Sequence, residues 1–308
     1  MKFSITYPLV AHPCHPEFLE KANMIRFAQA AEAAGFDALG FTDHPAPSQK
    51  WLEGGGHDAL DPFAALAFCA AVTDRIRLMP NIIVLPYRNP FVLAKAIASV
   101  DVLSGGRFIL GTAAGYLRSE YSALGVDYSE RNELFDEAIE VLQGIWSTDS
   151  FAYEGRHFFA QGQTANPKPV QKPHPPIWIG GNSKTARRRV AKVAQGWMPF
   201  PAPALMARTT KTPVLESRED LGRYLEELWK FVDEAGRDRA EIDIHFHNDQ
   251  GGAPGRDGFD PDAYQDGLRG LADVGVTWCG LSAPGESIDA AIEAVQQFGE
   301  TVIAPLRA

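Results

Sequence analysis

Residues 77–112 read RLMPNIIVLPYRNPFVLAKAIASVDVLSGGRFILGT and contain the signals of a strand, a helix and a second strand. The first apolar run, from Arg77 to Leu85, predicts a strand. Asn89 and Pro90 indicate a helix start, because asparagine caps a first turn and proline fits its first position. The turn Ser104-Gly105-Gly106 ends that helix and leads into a strand from Arg107 to Thr112. The stretch therefore predicts one β–α–β unit.

The same alternation continues on both sides of this unit. Further strands are predicted at residues 2–7, 38–42, 177–180, 197–200, 241–247 and 276–281. Further helices are predicted between residues 18 and 35 and at 61–72, 129–146, 183–194, 219–235, 262–274 and 287–298. Loops are expected at 47–58 and 201–213, with a Pro-rich and Gly-rich excursion at 151–176. Eight alternating pairs without a break in composition favour a single (β/α)₈ TIM barrel over residues 1–308, with loop insertions at its C-terminal mouth, over a doubly wound sheet.

The composition of the chain indicates which kinds of molecule it can bind. The chain has 308 residues, 45% of them hydrophobic, with 29 Lys and Arg against 39 Asp and Glu. The net charge of −10 disfavours a nucleic-acid or anionic-membrane surface and predicts a small-molecule or subunit partner. Three widely spaced cysteines predict no disulfide framework and a cytoplasmic location. No uncharged run approaches the roughly 20 residues of a membrane span.

Residues just past the strands are the candidates for chemistry, because active sites of such barrels lie where strands end. Gly180-Gly181-Asn182-Ser183 has the composition of an anion cradle, in which glycines allow close approach and amides at a helix start point at a phosphate. An ordinary tight turn remains the alternative. The three arginines that follow, Arg187 to Arg189, are expected mainly on the solvated surface.

The histidines fall into three groups with different expected roles. His44 follows a strand and Asp43, where it could exchange a proton near neutral pH or simply satisfy a loop hydrogen bond. His12, Cys14 and His15 lack the spacing of zinc ligands, so no metal site is predicted. His245 and His247 alternate on one strand and face the same side, which favours a core or rim position over contact with a ligand.

Four longer segments resemble those of a known family. They are Ala31–His44 (AEAAGFDALGFTDH), Val84–Tyr116, Glu130–Trp146 (ERNELFDEAIEVLQGIW) and Pro175–Pro199 (PPIWIGGNSKTARRRVAKVAQGWMP). Together they resemble the bacterial luciferase-like monooxygenases, and within them the branch that uses the deazaflavin coenzyme F420. The resemblance covers essentially the whole chain and implies a TIM barrel that binds a flavin or deazaflavin at its C-terminal mouth.

The resemblance also implies roles for individual residues. Asp43 and His44 would lie beside the ring system, with His44 as a catalytic acid or base. The Asn81–Ile82 pair matches a cis peptide that commonly bulges against the ring in this family. The remaining implied cofactor contacts are Ala114, Gly115 and Tyr116 at the ring edge, and Gly180, Gly181, Asn182 and Ser183 at the phosphate. Some sugar-phosphate dehydrogenases of the branch have a threonine and a catalytic glutamate where this chain has Ala114 and Tyr116, so that glutamate chemistry is not expected.

The expected activity is hydride transfer between F420 and a small organic substrate. The segments VLPYRNP and SGGRFILG favour F420 over FMN. The alternatives are a monooxygenase that uses reduced FMN and O₂, a flavin-binding barrel without catalysis and, as the weakest reading, a metal-dependent hydrolase. Trp51, Tyr116, Trp197 and Phe200 are predicted to form an apolar wall for the substrate, although each could be a core residue, Trp197 above all. A homodimer is expected from the resemblance.

Overall fold

A computed structural model describes residues 1–307. The strands are β1 (Lys2–Thr6), β2 (Ala38–Gly40), β3 (Arg77–Leu78), β4 (Ile83–Val84), β5 (Leu110–Ala113), β6 (Phe151–Glu154), β7 (Phe159–Gln163), β8 (Ile177–Gly180), β9 (Gly196–Met198), β10 (Asp243–His247) and β11 (Trp278–Ser282). Nine of them form one sheet in the order β3-β2-β1-β11-β10-β9-β8-β5-β4, and every neighbouring pair in it is parallel. Strands β6 and β7 form a separate antiparallel hairpin.

The two ends of the nine-stranded sheet meet. Leu78 of β3 makes a parallel bridge with Phe108, just before β5. Its N–H donates to the Arg107 carbonyl at 3.0 Å, and its own carbonyl accepts the N–H of Ile109 at 3.0 Å. The sheet is therefore curled upon itself, and the predicted α/β class with a parallel sheet is confirmed.

Helices connect the strands and cover the outer face of the sheet. They are α1 (Lys21–Ala33), α2 (Gln49–Glu53), α3 (Pro62–Ala70), α4 (Pro90–Leu103), α5 (Arg118–Ala123), α6 (Arg131–Ser147), α7 (Lys184–Val193), α8 (Ala204–Thr210), α9 (Arg218–Glu234), α10 (Pro261–Asp273), α11 (Ile288–Phe298) and α12 (Ala304–Arg307). Predicted caps are present where the sequence placed them: Asn89 accepts the Phe91 N–H, and Asp61 accepts those of Phe63 and Ala64. Within residues 1–307, no helix combines the length and the apolarity needed to cross a bilayer.

Two apolar layers stabilise the fold. The larger lies between the sheet and the helices. The smaller fills the inside of the curled sheet and consists of Ala38, Met79, Ile109, Trp178, Met198 and Trp278, all buried. Small residues follow this inner layer towards the carboxyl ends of the strands. A Cβ on Gly40 would lie 2.6 Å from the Met79 carbonyl oxygen, and one on Gly111 would lie 2.2 Å from that of Pro80, so backbone occupies the space that side chains would take.

Some predicted boundaries were wrong. The strand expected over residues 77–85 is divided into β3 and β4, because Pro80 has no N–H for a ladder and the Val84 N–H donates to the Asp43 carboxylate at 2.9 Å. The loop 47–58 contains α2, which begins where the Ser48 hydroxyl accepts the Trp51 N–H. The stretch 201–213 contains α8, and the excursion 151–176 contains the β6–β7 hairpin.

Candidate active site at the carboxyl ends of the strands

His44, just after β2, is held by a carboxylate from a helix that is distant in sequence. Its Nδ1 lies 3.2 Å from Oε2 of Glu120 on α5. Glu120 is fully buried and also accepts the Tyr87 hydroxyl at 3.1 Å and the Ala46 N–H at 3.2 Å. A carboxylate can only accept, so Nδ1 of His44 is the donor, and Nε2 is left for a ligand. Burial and the neighbouring Glu120 charge raise the pKa of Tyr87, which keeps its phenol a donor.

Two aromatic side chains, Trp51 and His57, contact this imidazole. The His44 ring lies on Trp51 with centroids 4.4 Å apart and meets the His57 ring edge-on at 5.1 Å. Nδ1 of His57 donates to the Asp58 carbonyl at 3.0 Å, so its Nε2 is an acceptor. Burial, with a smaller contribution from His44, lowers the pKa of His57 and favours its neutral form. Burial likewise raises the pKa of Tyr116, which interacts with the Trp51 side chain.

Both carboxylate oxygens of Asp43 are hydrogen-bonded within the protein. Its two oxygens accept a bidentate pair from the Arg88 guanidinium, at 2.6 and 2.8 Å, and one also accepts the Val84 N–H. The Asp43 side chain is 1% exposed. Asp43 therefore joins the end of β2 to the segment after β4.

The glycine turn after β8 lies beside the ends of β4 and β5. A Cβ on Gly180 would lie 3.5 Å from Ile82 Cγ2, from Ala113 Cβ and from the Met198 carbonyl oxygen. Gly181 has a φ of +103° and open space at its Cβ position, with only Ala186 at 3.9 Å. The Asn81–Ile82 peptide is cis. Strand ends that are far apart in sequence thus form one surface of small residues.

Side chains next to this turn stabilise it. The buried Asn182 amide donates to the Phe200 carbonyl at 2.9 Å and to that of Pro213 at 3.3 Å, and its oxygen accepts the Phe200 N–H at 3.0 Å. Ser183 caps α7 by accepting the Ala186 N–H. Arg187, expected on the solvated surface, is instead buried, because it donates to the Asn182 carbonyl and pairs with Glu227. Arg189 pairs with Asp136. Because Ser183 takes up the Ala186 N–H, the amides left as donors are those of Lys184 and Thr185, the first two residues of α7.

The predicted substrate wall is only partly assembled. Trp51 lies against His44, and Tyr116 interacts with Trp51. Trp197, in contrast, is fully buried, and its indole N–H donates to the Gly181 carbonyl at 3.0 Å. Trp197 thus occupies the core position that the sequence left open as its alternative, because β9 directs this side chain into the outer core. Phe200 is half-buried behind the turn, with its backbone held by Asn182.

His245 and His247 lie on β10, and His12 lies in the loop after β1. His245 is buried inside the curled sheet, where Nε2 lies 2.8 Å from the Ser4 hydroxyl, and burial lowers its pKa to about 3. His247 is its neighbour, with ring centroids 5.6 Å apart. His12 pairs with Asp58 at 2.7 Å, and Asp58 also accepts the Cys14 N–H.

A cleft of about 360 Å³ opens next to His44. Its walls combine apolar and polar groups: Leu9, Leu19 and Leu52 are among the apolar ones, while His44, Cys14 and Asp58 supply polar atoms. A cleft of this size suits a small ligand.

Sequence reasoning missed Glu120 and His57. Glu120 sits at a helical position, where an acidic residue usually faces solvent, and only its burial identifies it. His57 lies in a Gly-rich segment without periodicity, so its proximity to His44 depends on how the loop folds.

Comparison with known proteins decides the family. A family model described as "Luciferase-like monooxygenase" matches residues 1–247. The chain belongs to the luciferase-like monooxygenase family. The expected enzyme class is thereby confirmed at the level of the family.

Relatives within this family differ in cofactor. An FMNH(2)-dependent dimethylsulfone monooxygenase of Pseudomonas putida is 30% identical over 173 residues, 55% of this chain but only 46% of that protein's length. An F420-dependent glucose-6-phosphate dehydrogenase of Microbacterium testaceum is 28% identical over 229 residues, 72% of this chain and 61% of that protein. Both cofactors that the resemblance implied therefore occur among the relatives.

Solved structures of the same fold cover the chain almost completely. Monooxygenase RslO1 from Streptomyces bottropensis has a TM-score of 0.82 at 21% identity, with 100% of each chain covered. The coenzyme F420 dependent tetrahydromethanopterin reductase from Methanopyrus kandleri has a TM-score of 0.75 at 18% identity, with 99% of each chain covered. At these identities the likeness is one of fold.

The residues of this luciferase-like chain fit a planar cofactor with an anionic tail. Ala113, Ala114, Gly115 and Gly180 leave the strand ends without bulky side chains. The open Cβ position of Gly181 and the free amides at the start of α7 suit a phosphate.

Proposed function

We propose that the chain is an F420-dependent oxidoreductase that transfers a hydride between the deazaflavin and a small organic substrate. The observation that carries the proposal is the position of His44, held by buried Glu120 on the mouth that also carries the glycine turn. A bound F420 would supply the hydride chemistry, and the protein would supply binding, orientation and proton transfer.

The cofactor would be held by backbone and small residues. Gly180, Gly181 and the first amides of α7 would bind the phosphate, while Asn182 and Ser183 keep that turn in place. Ile82, Ala114, Gly115 and Tyr116 would border the ring. In this proposal β3 and β4 are two halves of one strand, which makes the curled sheet an eight-stranded (β/α)₈ barrel.

A group of cations favours F420 over FMN as the cofactor. Arg118, Arg131 and Lys211 surround the Tyr128 ring, with their charged atoms 4.3, 4.1 and 5.6 Å from its centroid. Among residues 1–307, no carboxylate lies within 4.0 Å of these three cations. Lys211 belongs to the segment that Asn182 holds through Pro213. The anionic tail of F420 is longer than the single phosphate of FMN and could reach these charges.

His44 would exchange the proton that accompanies hydride transfer. Its Nδ1 is fixed by Glu120, so Nε2 is the atom available to a hydroxyl or carbonyl of the substrate. Neutral His57, 5.1 Å away between ring centroids, offers a second acceptor at the same place. The cleft beside His44 is small, and its walls combine apolar and polar groups, which supports a small organic substrate with an oxygen function.

A monooxygenase that uses reduced FMN and O₂ is the second candidate. It is favoured by the 30% identity to the dimethylsulfone monooxygenase and by the TM-score of 0.82 to RslO1. A turnover panel separates the two. We expect F420 reduction by a set of small alcohols under anaerobic conditions, without turnover from reduced FMN and O₂. The reverse result would establish the second candidate, and no turnover with either cofactor would favour a barrel that binds without catalysis.

A further inference from the structure

A second cleft lies at the opposite end of the curled sheet from His44. It has a volume of about 480 Å³ and opens at the amino ends of β1 and β3 and the start of β11. The buried inner layer around Met79, Trp178 and Trp278 stands between this cleft and the candidate active site. The cleft is therefore separate from the candidate active site, and a ligand could bind there whatever reaction the active site catalyses.

Cationic side chains dominate the lining of this cleft. Lys2, Arg75, Arg77 and Arg307 contribute to it. Arg307 is paired with Asp37 at 2.8 Å. Within residues 1–307, no carboxylate lies within 4.0 Å of the charged groups of Lys2, Arg75 or Arg77. Three positive charges that face one cleft without an ion-paired carboxylate are unexpected in a chain with a net charge of −10.

The two acidic side chains of the lining are already engaged. Glu32 accepts the backbone N–H groups of Asp74, Arg75 and Ile76, at 3.0, 2.6 and 2.8 Å. Asp37 accepts the Phe3 N–H at 2.8 Å as well as the Arg307 guanidinium. Neither carboxylate forms an ion pair within 4.0 Å with Lys2, Arg75 or Arg77, although the Arg75 charge acts on Glu32 from farther away.

Arg77 is the most informative residue of the cleft. A guanidinium has five N–H donors, and within the described structure that of Arg77 has one acceptor, the neutral Gln171 oxygen at 3.2 Å. Burial lowers its pKa, although Asp243 and Asp101 oppose the shift from a distance. Neighbouring Arg107 also lacks a carboxylate but has five hydrogen bonds, four to backbone carbonyls and one to Thr73. The Arg77 guanidinium can therefore donate hydrogen bonds to a ligand, whereas that of Arg107 is already saturated by protein acceptors.

We propose that this cleft binds a small polyanion, with its phosphate or carboxylate groups against Lys2, Arg75 and Arg77. Arginine suits such groups because its planar fork can make paired charge-assisted hydrogen bonds. The volume lies within the range of small-molecule sites. An anion here would supply the acceptors that Arg77 lacks and offset the repulsion among the three cations.

Calorimetric titration of the full chain with inorganic pyrophosphate, and separately with citrate, tests this proposal at constant ionic strength. We expect saturable binding of at least one probe, and the stronger of the two distinguishes phosphate from carboxylate recognition. Lys2→Gln and Arg75→Gln alter exposed side chains, and each should weaken binding about tenfold. Arg188→Gln, a change at an exposed arginine on α7, is the matched control and should leave the affinity unchanged.

Two further results bear on the location of the anion. The Gly181→Asp variant, which alters the turn proposed for the cofactor phosphate, should bind the probe like the parent. Loss of binding in Gly181→Asp with unchanged affinity in the Lys2→Gln, Arg75→Gln double variant would place the anion at the mouth and overturn the proposal. Absence of saturable binding of either probe to the parent chain would also overturn it. Melting temperatures without ligand show that each variant is folded.

Discussion

Nδ1 of His44 and Oε2 of Glu120 lie 3.2 Å apart although 76 residues separate them in sequence. The contact joins the loop after β2 to α5, which follows β5. Glu120 has no exposure to solvent and receives two further hydrogen bonds, from Tyr87 and Ala46, so its position is fixed independently of His44. His44 is therefore presented to the mouth in one tautomer and one orientation.

Replacing Glu120 tests whether this contact orients His44. In Glu120→Gln an NH₂ group replaces one of the two acceptor oxygens, so the three hydrogen bonds from His44, Tyr87 and the Ala46 N–H cannot all persist. We expect kcat to fall by about 10- to 100-fold, with a shifted pH profile and nearly unchanged affinity for the cofactor. Tyr87→Phe removes one bond to the same carboxylate and should have a smaller effect. Equal kcat and an equal pH profile in Glu120→Gln and the parent would show that the contact is only structural.

Replacing Gly181 tests the proposed phosphate site. Gly181→Asp places a side chain at a φ of +103° and a negative charge beside the turn. F420 and FMN should bind at least tenfold more weakly by fluorescence titration, whereas riboflavin, which lacks the phosphate, should bind as before. Gly275→Asp is the matched control, since Gly275 has a φ of +105° and equally open surroundings away from the mouth. An equal loss in both variants would indicate backbone strain instead of charge.

Removal of Asp43 should reduce stability because it leaves the Arg88 charge largely buried and without its bidentate partner. We expect Asp43→Ala to lower the free energy of unfolding by about 3 kcal/mol in urea denaturation. The Arg26–Asp289 pair has the same 2.6 Å separation, but its side chains are 51% and 71% exposed. Asp289→Ala should therefore cost less than about 1 kcal/mol. Similar losses in the two variants would contradict the importance of burial.

Stability should fall in mild acid because of His245. Its pKa is about 3 in the folded chain and near 6.5 when unfolded, so between these values the unfolded chain binds a proton that the folded chain does not. The contribution of neutral His245 to the free energy of unfolding is fully present above about pH 6.5. Below that pH it decreases by up to about 1.4 kcal/mol per pH unit. His57 and His247 act in the same direction. His245→Asn should reduce the pH slope between pH 6.5 and 4.5, and an unchanged slope would show that His245 is not the group responsible.

The order of elements could be predicted from sequence because its signals are local. Caps such as Asn89 and Asp61 accept N–H groups of residues two or three positions later in the chain, so the local sequence is enough to predict them. Contacts between distant parts of the chain have no such signal, so the Glu120 contact was missed, and the position of Trp197 stayed open between the substrate wall and the core. The strand expected over 77–85 was wrong because a proline and the distant Asp43 interrupt its ladder.

The central claim about this protein is that the mouth of the curled sheet binds F420 in preference to FMN. Fluorescence titration of the purified chain with F420 and with FMN, at one ionic strength, measures this. We expect saturable binding of F420 that is at least tenfold tighter than that of FMN, and an Arg118→Gln, Lys211→Gln double variant in which this preference is reduced. Binding of FMN that equals or exceeds that of F420 would contradict the assignment, and no binding of either would contradict the proposed site itself.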